Sequence, residues 1–167
     1  MSSYSQIIVS FNCSSNDSVA GVARRHADEL EQSKQSLECG ECLLFLRNMA
    51  HRIRENPGSK GGVALWGAVG RSINADSFVG GLERFWSEIL SSELDGGPTF
   101  SDRIIVFYEH EGSRQAHCYE IGFAEDDQYA LSDFICENGR PPDPSLPGET
   151  MPKLEIKHHD LPFAWML

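Results

Sequence analysis

The order in which two kinds of apolar pattern follow each other constrains the fold of this chain most strongly. Short segments of β-branched or alternating apolar residues, typical of strands, occur at 6–11 and 62–69. Longer segments with apolar residues at helical spacing occupy 19–35, 37–55 and about 74–90. The pattern therefore predicts a strand, two helices, a strand and a helix. The second strand is apolar on both faces, which favours a central position in its sheet.

The rest of the chain predicts an antiparallel meander. Residues 103–110 and 115–124 alternate around a Glu-Gly-Ser-Arg turn and form the clearest hairpin candidate. We expect a further strand at 129–136 and a short edge strand at 154–157. An extended loop is predicted between them at 139–152, because it holds five of the eight prolines.

These elements predict an α/β or α+β fold of two layers, with a mixed, partly antiparallel sheet and about three helices. The chain has 167 residues, of which 40% are hydrophobic and 23% charged, values typical of one globular domain. We therefore expect residues 1–167 to form a single domain, with the apolar tail at 161–167 docked on its body.

The negative charge of the chain is concentrated towards its C-terminal end. The formal net charge is −11, and residues 101–167 hold 13 of the 25 acidic residues but five of the 14 basic ones. Such a surface repels nucleic acids and anionic membranes. It favours a basic protein partner. The alternatives are that the charge only aids solubility or that residues 125–127 bind a hard metal ion. The aromatic residues proposed as anchors are Tyr108, Tyr119, Phe123, Tyr129 and Trp165. The predicted contact residues are Glu109, Glu111, Glu120, Glu125, Asp126, Asp127, Asp133 and Glu137.

The cysteines and the apolar runs indicate a cytoplasmic protein. Five cysteines make an odd number, and most lie in apolar or periodic segments, as reduced core thiols do. No apolar run reaches the ~18–20 residues that span a bilayer, and the first residues do not have the pattern of a secretory signal. Cys39 and Cys42 have the spacing of half a zinc site. Core thiols are the preferred interpretation because no second ligand pair follows, and a metal or redox pair is the alternative.

Two further groups of residues have the chemistry of a catalytic site. His110 and His117 flank the predicted turn, and with Glu109 they could form a metal or acid–base site; the preferred interpretation is that these strand-end side chains are only solvated. Asp143, followed by Glu155 and Lys157, matches the pattern of metal-dependent nucleases, in which two carboxylates hold a cation and a lysine orients water. The surrounding prolines and the acidity of the chain argue against this second group.

Two weaker features have ordinary structural interpretations. Residues 67–71 contain two glycines and Arg71 between a predicted strand and helix, where backbone amides can meet an anion. Their spacing matches no phosphate-binding loop, so a tight turn is preferred. His26 lies on the apolar side of the first predicted helix, which favours a core histidine over a metal ligand.

Together these features predict a non-enzymatic binding protein that needs no cofactor. The chain is small, acidic and poor in catalytic motifs, and in this general character it resembles bacterial immunity and antitoxin proteins. That resemblance implies a basic partner, such as a toxin, neutralised by blocking its site. One alternative is a small metal-dependent hydrolase or nuclease-like enzyme, and another is a subunit that docks through residues 163–167. The oligomeric state stays open.

Overall fold

Strands and helices are interspersed along the chain in the computed structural model, which describes residues 4–12, 17–33, 40–55, 63–71, 73–91, 102–113 and 115–162. Within these ranges there are five strands and four helices, one helix more than predicted. The strands are β1 (Tyr4–Asn12), β2 (Val63–Arg71), β3 (Ile104–His110), β4 (Ala116–Gly122) and β5 (Glu155–Leu161). The helices are α1 (Asp17–Gln32), α2 (Gly40–Glu55), α3 (Ala75–Ser91) and α4 (Glu125–Asn138).

The strands form one sheet in the order β2-β1-β3-β4-β5, and every neighbouring pair is antiparallel. The predicted two-layer α+β class is confirmed, and the sheet is antiparallel at each described pairing rather than mixed. β1 and β2 are antiparallel because two helices, α1 and α2, connect them, so that β2 runs in the direction opposite to β1. β2 is an edge strand and not the central strand predicted, and Val69 on it is 64% exposed.

One face of the sheet carries the core. Cross-strand pairing places Val9 beside Val106 and Ile104 beside Ile121, and all four side chains are fully buried. Helix α3 packs on β3 and β4, and α1 packs on α2 and α3. The largest buried side chains of these helices are aromatic: Phe45, Phe78, Phe85 and Trp86. Burying them removes the most apolar area from water and so stabilises this layer most.

Local interactions define two element boundaries. The side chain of Asn74 accepts a hydrogen bond from the Ser77 amide at 3.0 Å and so caps α3. The hairpin is formed by β3 and β4, with Gly112 in its turn at φ 81°. A residue without a Cβ adopts this left-handed conformation at little cost.

The segment 129–136, predicted as a strand, lies inside helix α4, so that prediction is wrong. Three carboxylates in the first turn, from Glu125 to Asp127, favour a helix because its N-terminal amides carry positive partial charge. Gly139 ends the helix at φ 69°, and its amide donates to the Ile135 carbonyl at 2.7 Å. Leu131 is the one buried position of the helix, whereas a strand packed on a core would bury every second residue.

Two other strands are longer than predicted. β2 continues to Arg71, so the glycine-containing segment 67–71 is paired with β1 and forms neither the predicted tight turn nor an anion-binding one. β5 runs from Glu155 to Leu161 and pairs with β4 along its whole length. The predicted loop at 139–152 is present between α4 and β5, outside any helix or strand.

The helices of the described ranges do not include one with both the length and the apolarity needed to cross a bilayer.

Candidate functional site

Five of the eight acidic residues predicted to contact a partner lie on one helix, α4. Glu125, Asp126 and Asp127 form its first turn, and Asp133 and Glu137 follow on the same helix. All are exposed except Asp127, which is half-buried. The sequence of α4 contains no lysine, arginine or histidine, so the helix carries five negative charges and no positive one.

The outward side of α4 is a continuous stripe. Asp126, Tyr129, Asp133 and Glu137 recur at helical spacing, and Tyr129 is 64% exposed. We call these four residues the acidic face. Leu131, on the opposite side of the helix, is buried to 2% exposure and belongs to the hydrophobic core. The packing of Leu131 therefore directs the acidic face to solvent.

Several acidic residues elsewhere in the described chain form ion pairs, whereas those of α4 do not. Glu29 and Glu31 on α1 lie beside arginines, and Glu149 in the loop receives two hydrogen bonds from Arg140. Among the described residues, no carboxylate of α4 forms an ion pair. Neighbouring negative charges without a counter-charge repel each other, and a bound cationic group would relieve that repulsion.

The other three predicted contact residues lie apart from the acidic face. Glu109 is on β3 and is only 2% exposed. Glu111, in the hairpin turn, accepts a hydrogen bond from the Tyr4 amide at 3.0 Å. Glu120 on β4 lies 3.4 Å from the Nε2 atom of His159 on β5. The structure thus brings together the α4 members of the set and separates the strand members from them.

A groove of about 410 Å³ runs beside α4, between its inner side and the proline-rich loop. Asp127 and Phe134 line it from the helix, and Pro142 and Glu149 line it from the loop. The groove is therefore a concave surface next to the acidic face, and both apolar and acidic side chains line it.

A second group of functional side chains lies on β4 and on the edge strand β5. His117 Nδ1 is 2.9 Å from Asp160 Oδ1 and 3.1 Å from His158 Nε2, and His158 Nε2 is 3.4 Å from Asp160 Oδ1. We call these three residues the histidine cluster. Within the described ranges it is the one group of three or more His, Cys, Asp or Glu side chains whose ligand atoms converge.

The pairing of β4 with β5 positions the histidine cluster. His117 is directly opposite Asp160, and Tyr119 is directly opposite His158. Residues two apart on a strand point to the same side, so all of these side chains share the face that carries the core. Two tyrosines hold the imidazole rings, since Tyr119 stacks on His158 at 4.6 Å between centroids and Tyr108 stacks on His117 at 6.0 Å.

Polar groups behind the histidine cluster fix these tyrosines. The Tyr108 hydroxyl lies 3.3 Å from the Ile73 carbonyl, to which it donates, and 3.3 Å from Ser5 Oγ. Ser5 Oγ is in turn 2.9 Å from His110 Nδ1. Burial, with a smaller contribution from Asp76, raises the pKa of Tyr119, so its phenol is protonated at neutral pH.

The predicted grouping of His110, His117 and Glu109 is wrong. Glu109 pairs with Gln6 and Ala116 and faces the opposite side of the sheet from both histidines. His110 bonds to Ser5, while His117 meets two residues of β5. The missed signal is the alternation of His158 and Asp160, which places both on one face once β5 is extended past residue 157.

The nuclease-like residues are engaged elsewhere. Asp143 accepts hydrogen bonds from the amide and hydroxyl of Ser145 at 2.9 and 2.7 Å, forming a local turn. These bonds lower the pKa of Asp143. Glu155 and Lys157 form a surface ion pair at 3.5 Å along one side of β5. The Asp143 carboxylate therefore stabilises a turn of the loop. These interactions account for Asp143, Glu155 and Lys157 without a bound metal.

The remaining candidates are core residues or lie outside the described ranges. Cys42 is fully buried against Gly81 of α3, as predicted for a core thiol, and Cys39 is outside the described residues. His26 is half-buried, with Nε2 2.7 Å from Glu88 and its ring against Phe85. The predicted docking tail, 163–167, also falls outside the described residues.

Comparison of the chain with protein families, with curated proteins and with solved structures finds no match. Function is therefore inferred from the two groups of residues above.

Proposed function

We propose that this is a non-enzymatic protein-binding protein whose acidic face contacts a basic partner. One observation carries the proposal: α4 presents five carboxylates, none of which has an ion-pair partner among the described residues. Opposite charges across an interface speed association and fix its register. The lysine and arginine side chains of a basic partner would supply the missing counter-charges.

The composition of the acidic face supports binding rather than solubility alone. Tyr129, 64% exposed, lies between Asp126 and Asp133 on the same stripe. Tyrosine is enriched among the residues that contribute most to interfaces, because it buries a large rigid ring and retains a hydroxyl for hydrogen bonding. A surface that served solubility alone would gain nothing from an exposed aromatic ring at its centre.

The presentation of the face supports a blocking role. A helix held by a buried leucine and capped by Gly139 presents its charges in a fixed arrangement, which lowers the entropy cost of binding. A rigid acidic surface can occupy a basic site on another protein as an inhibitor does. We therefore propose the immunity or antitoxin type of function, with a basic toxin as the class of partner.

A charge-matched pair of variants tests the proposal. The first variant removes three charges from the acidic face, as Asp126→Asn, Asp133→Asn and Glu137→Gln. The control removes three exposed charges from α1, as Asp28→Asn, Glu29→Gln and Glu31→Gln. Both variants change the net charge by the same amount. A difference in partner recovery between them therefore shows that the position of the removed charges matters, and not their number.

Each protein would be used to capture partners from a host lysate at about 0.1 M and 0.5 M salt, between which charge screening increases strongly. We expect one dominant basic protein with wild type and the α1 variant at low salt, with recovery about tenfold or more lower for the α4 variant. Recovery that is equal for both variants, or no stoichiometric basic partner, would refute the proposed function.

The inhibitor role has its own test in cells. The captured partner, expressed alone, is expected to slow growth, and co-expression of wild type is expected to restore it. The α4 variant should fail to restore growth while the α1 variant succeeds. A partner that is harmless when expressed alone would rule out the toxin-neutralising role and leave the binding role intact.

A further inference from the structure

We propose that the histidine cluster, His117, His158 and Asp160, binds a single Zn²⁺-like divalent transition-metal ion. This proposal goes beyond the binding function of α4 and is independent of it. The cluster lies on β4 and β5, whereas the acidic face belongs to α4.

The distances between the three ligand atoms suit one cation. They are 2.9, 3.1 and 3.4 Å, and a circle through atoms so spaced has a radius of about 1.8 Å. A Zn²⁺ ion binds histidine nitrogen and carboxylate oxygen at about 2.0–2.1 Å. It would therefore contact all three atoms from a point roughly 1 Å outside their plane, with no movement of the backbone.

The hydrogen bonding in the cluster shares one ring nitrogen between two neighbours. His117 Nδ1 lies within 3.1 Å of both Asp160 and His158, yet a neutral imidazole nitrogen either donates one hydrogen or accepts one. One hydrogen on Nδ1 would serve both neighbours only as a divided, three-centre bond. A cation placed among the three atoms would accept a lone pair from each of them at once.

The choice of ligands selects the class of metal. Two imidazoles and one carboxylate suit borderline ions such as Zn²⁺, whereas Mg²⁺ and Ca²⁺ prefer oxygen ligands only. Three protein ligands leave at least one position of a tetrahedral zinc site for water. The exposure of His158 and Asp160, at 45% and 58% of their side chains, leaves that position open to solvent.

The strand pairing makes the cluster preorganised. His158 and Asp160 are two residues apart on β5, and His117 is the direct cross-strand partner of Asp160. Stacking on Tyr119 and Tyr108 restrains the two imidazole rings. Because the ligands come from both strands, a bound metal would join the edge strand β5 to β4 and resist their separation.

The test is titration of the full-length chain, without a histidine tag and after removal of metal by a chelator, with Zn²⁺ and with Co²⁺. We expect one ion per chain by calorimetry and the visible absorption of cobalt bound by nitrogen and oxygen. Long-range ¹H–¹⁵N spectra should show the metal on Nδ1 of His117 and on Nε2 of His158. The melting temperature should rise with Zn²⁺ and stay constant with Mg²⁺.

Two variants and a matched control locate the site. His158→Ala and Asp160→Asn each remove one ligand on the exposed edge strand, and each should weaken Zn²⁺ binding by more than about tenfold, the smallest loss typical when even an outer-shell partner is removed. The control is His159→Ala, the residue between them, which faces the other side of β5 beside Glu120. It should bind as wild type does.

The outcomes are decisive in either direction. A site lost in His158→Ala and Asp160→Asn but retained in His159→Ala supports the proposal. An ion that binds equally to all four proteins, or no binding of Zn²⁺ below about 1 mM, overturns it. The partner capture described above does not depend on this result, so failure of the metal site leaves the α4 proposal standing.

Discussion

At the scale of single residues, the approach of α2 to α3 depends on Gly81. A Cβ atom at this position would lie 2.6 Å from Cys42 Sγ and 3.4 Å from Cys42 Cβ. The neighbouring Gly80 has open space at the same place. Two adjacent glycines of one helix therefore have different roles, and only Gly81 is required by packing.

Alanine substitutions at these two glycines are expected to have opposite effects. Gly81→Ala should lower the free energy of unfolding, because overpacking costs about 1–3 kcal/mol against a gain in helix propensity of about 0.8–1 kcal/mol. Gly80→Ala should raise it by about 0.5–1 kcal/mol. Urea denaturation measures both. Equal effects of the same sign would contradict the close packing of Cys42 on Gly81.

The carboxylate of Glu149 controls the acid stability of the proline-rich loop. Arg140 donates to its two oxygens at 2.7 and 2.6 Å, and the Asp143 amide donates at 2.9 Å. These bonds lower the pKa of Glu149 from 4.5 to about 2. The pKa is lowered in the folded protein, so the stabilisation is complete above the unfolded pKa and is lost as pH falls towards 2.

A ¹³C titration of the Glu149 side chain by NMR tests this. We expect its midpoint near pH 2 in wild type and a midpoint shifted towards the usual value in Arg140→Gln. A wild-type midpoint near 4.5 would show that the Arg140 interaction does not persist in solution.

At the scale of elements, α4 is the part of the fold that sequence patterns predicted least well. The run around Tyr129 and Leu131 is short and apolar enough to suit either a strand or a helix. The acidic first turn and Gly139 favour a helix. These signals outweigh the strand-like pattern only once it is known that one face of the segment is buried. The sequence placed the eight acidic residues in one set, and the fold divides that set between α4 and the strands.

Leu131 is the one fully buried position of α4, so its removal should loosen the helix locally. Leu131→Ala is expected to speed amide hydrogen exchange across 125–138 by about tenfold or more, while β1 and β3 keep their protection. Tyr129→Ala, at an exposed position of the same helix, should leave exchange unchanged. Faster exchange throughout the sheet in Leu131→Ala would mean that α4 does not open independently.

The strand β5 shows why the histidine cluster could not be predicted. The pattern indicated a strand at 154–157, and the true strand continues through His158 and Asp160 to Leu161. Polar residues rarely signal an edge strand, because β-propensity mainly reflects packing on a half-buried surface. Register decides which side chains meet, and the register of β4 with β5 is a property of the fold and not of either segment alone.

At the scale of the whole molecule, the charge is distributed unevenly. Residues 101–167 hold 13 of the 25 acidic residues, and this imbalance was visible in the composition. The fold then separates these residues by burial and pairing, and α4 gathers five carboxylates that form no ion pair among the described residues. Composition could indicate a basic partner, but only the three-dimensional arrangement could suggest which surface to propose for the contact.

The most direct measurement of this assignment is zero-length carbodiimide cross-linking of the wild-type protein with its captured basic partner, followed by mass spectrometry. The reagent joins carboxylates to lysine amines that are already in contact. We expect the cross-links to concentrate on Asp126, Asp133 and Glu137 and to decrease as salt rises from about 0.1 to 0.5 M. Cross-links spread over all exposed carboxylates, or concentrated on Asp28, Glu29 and Glu31 of α1, would contradict the account.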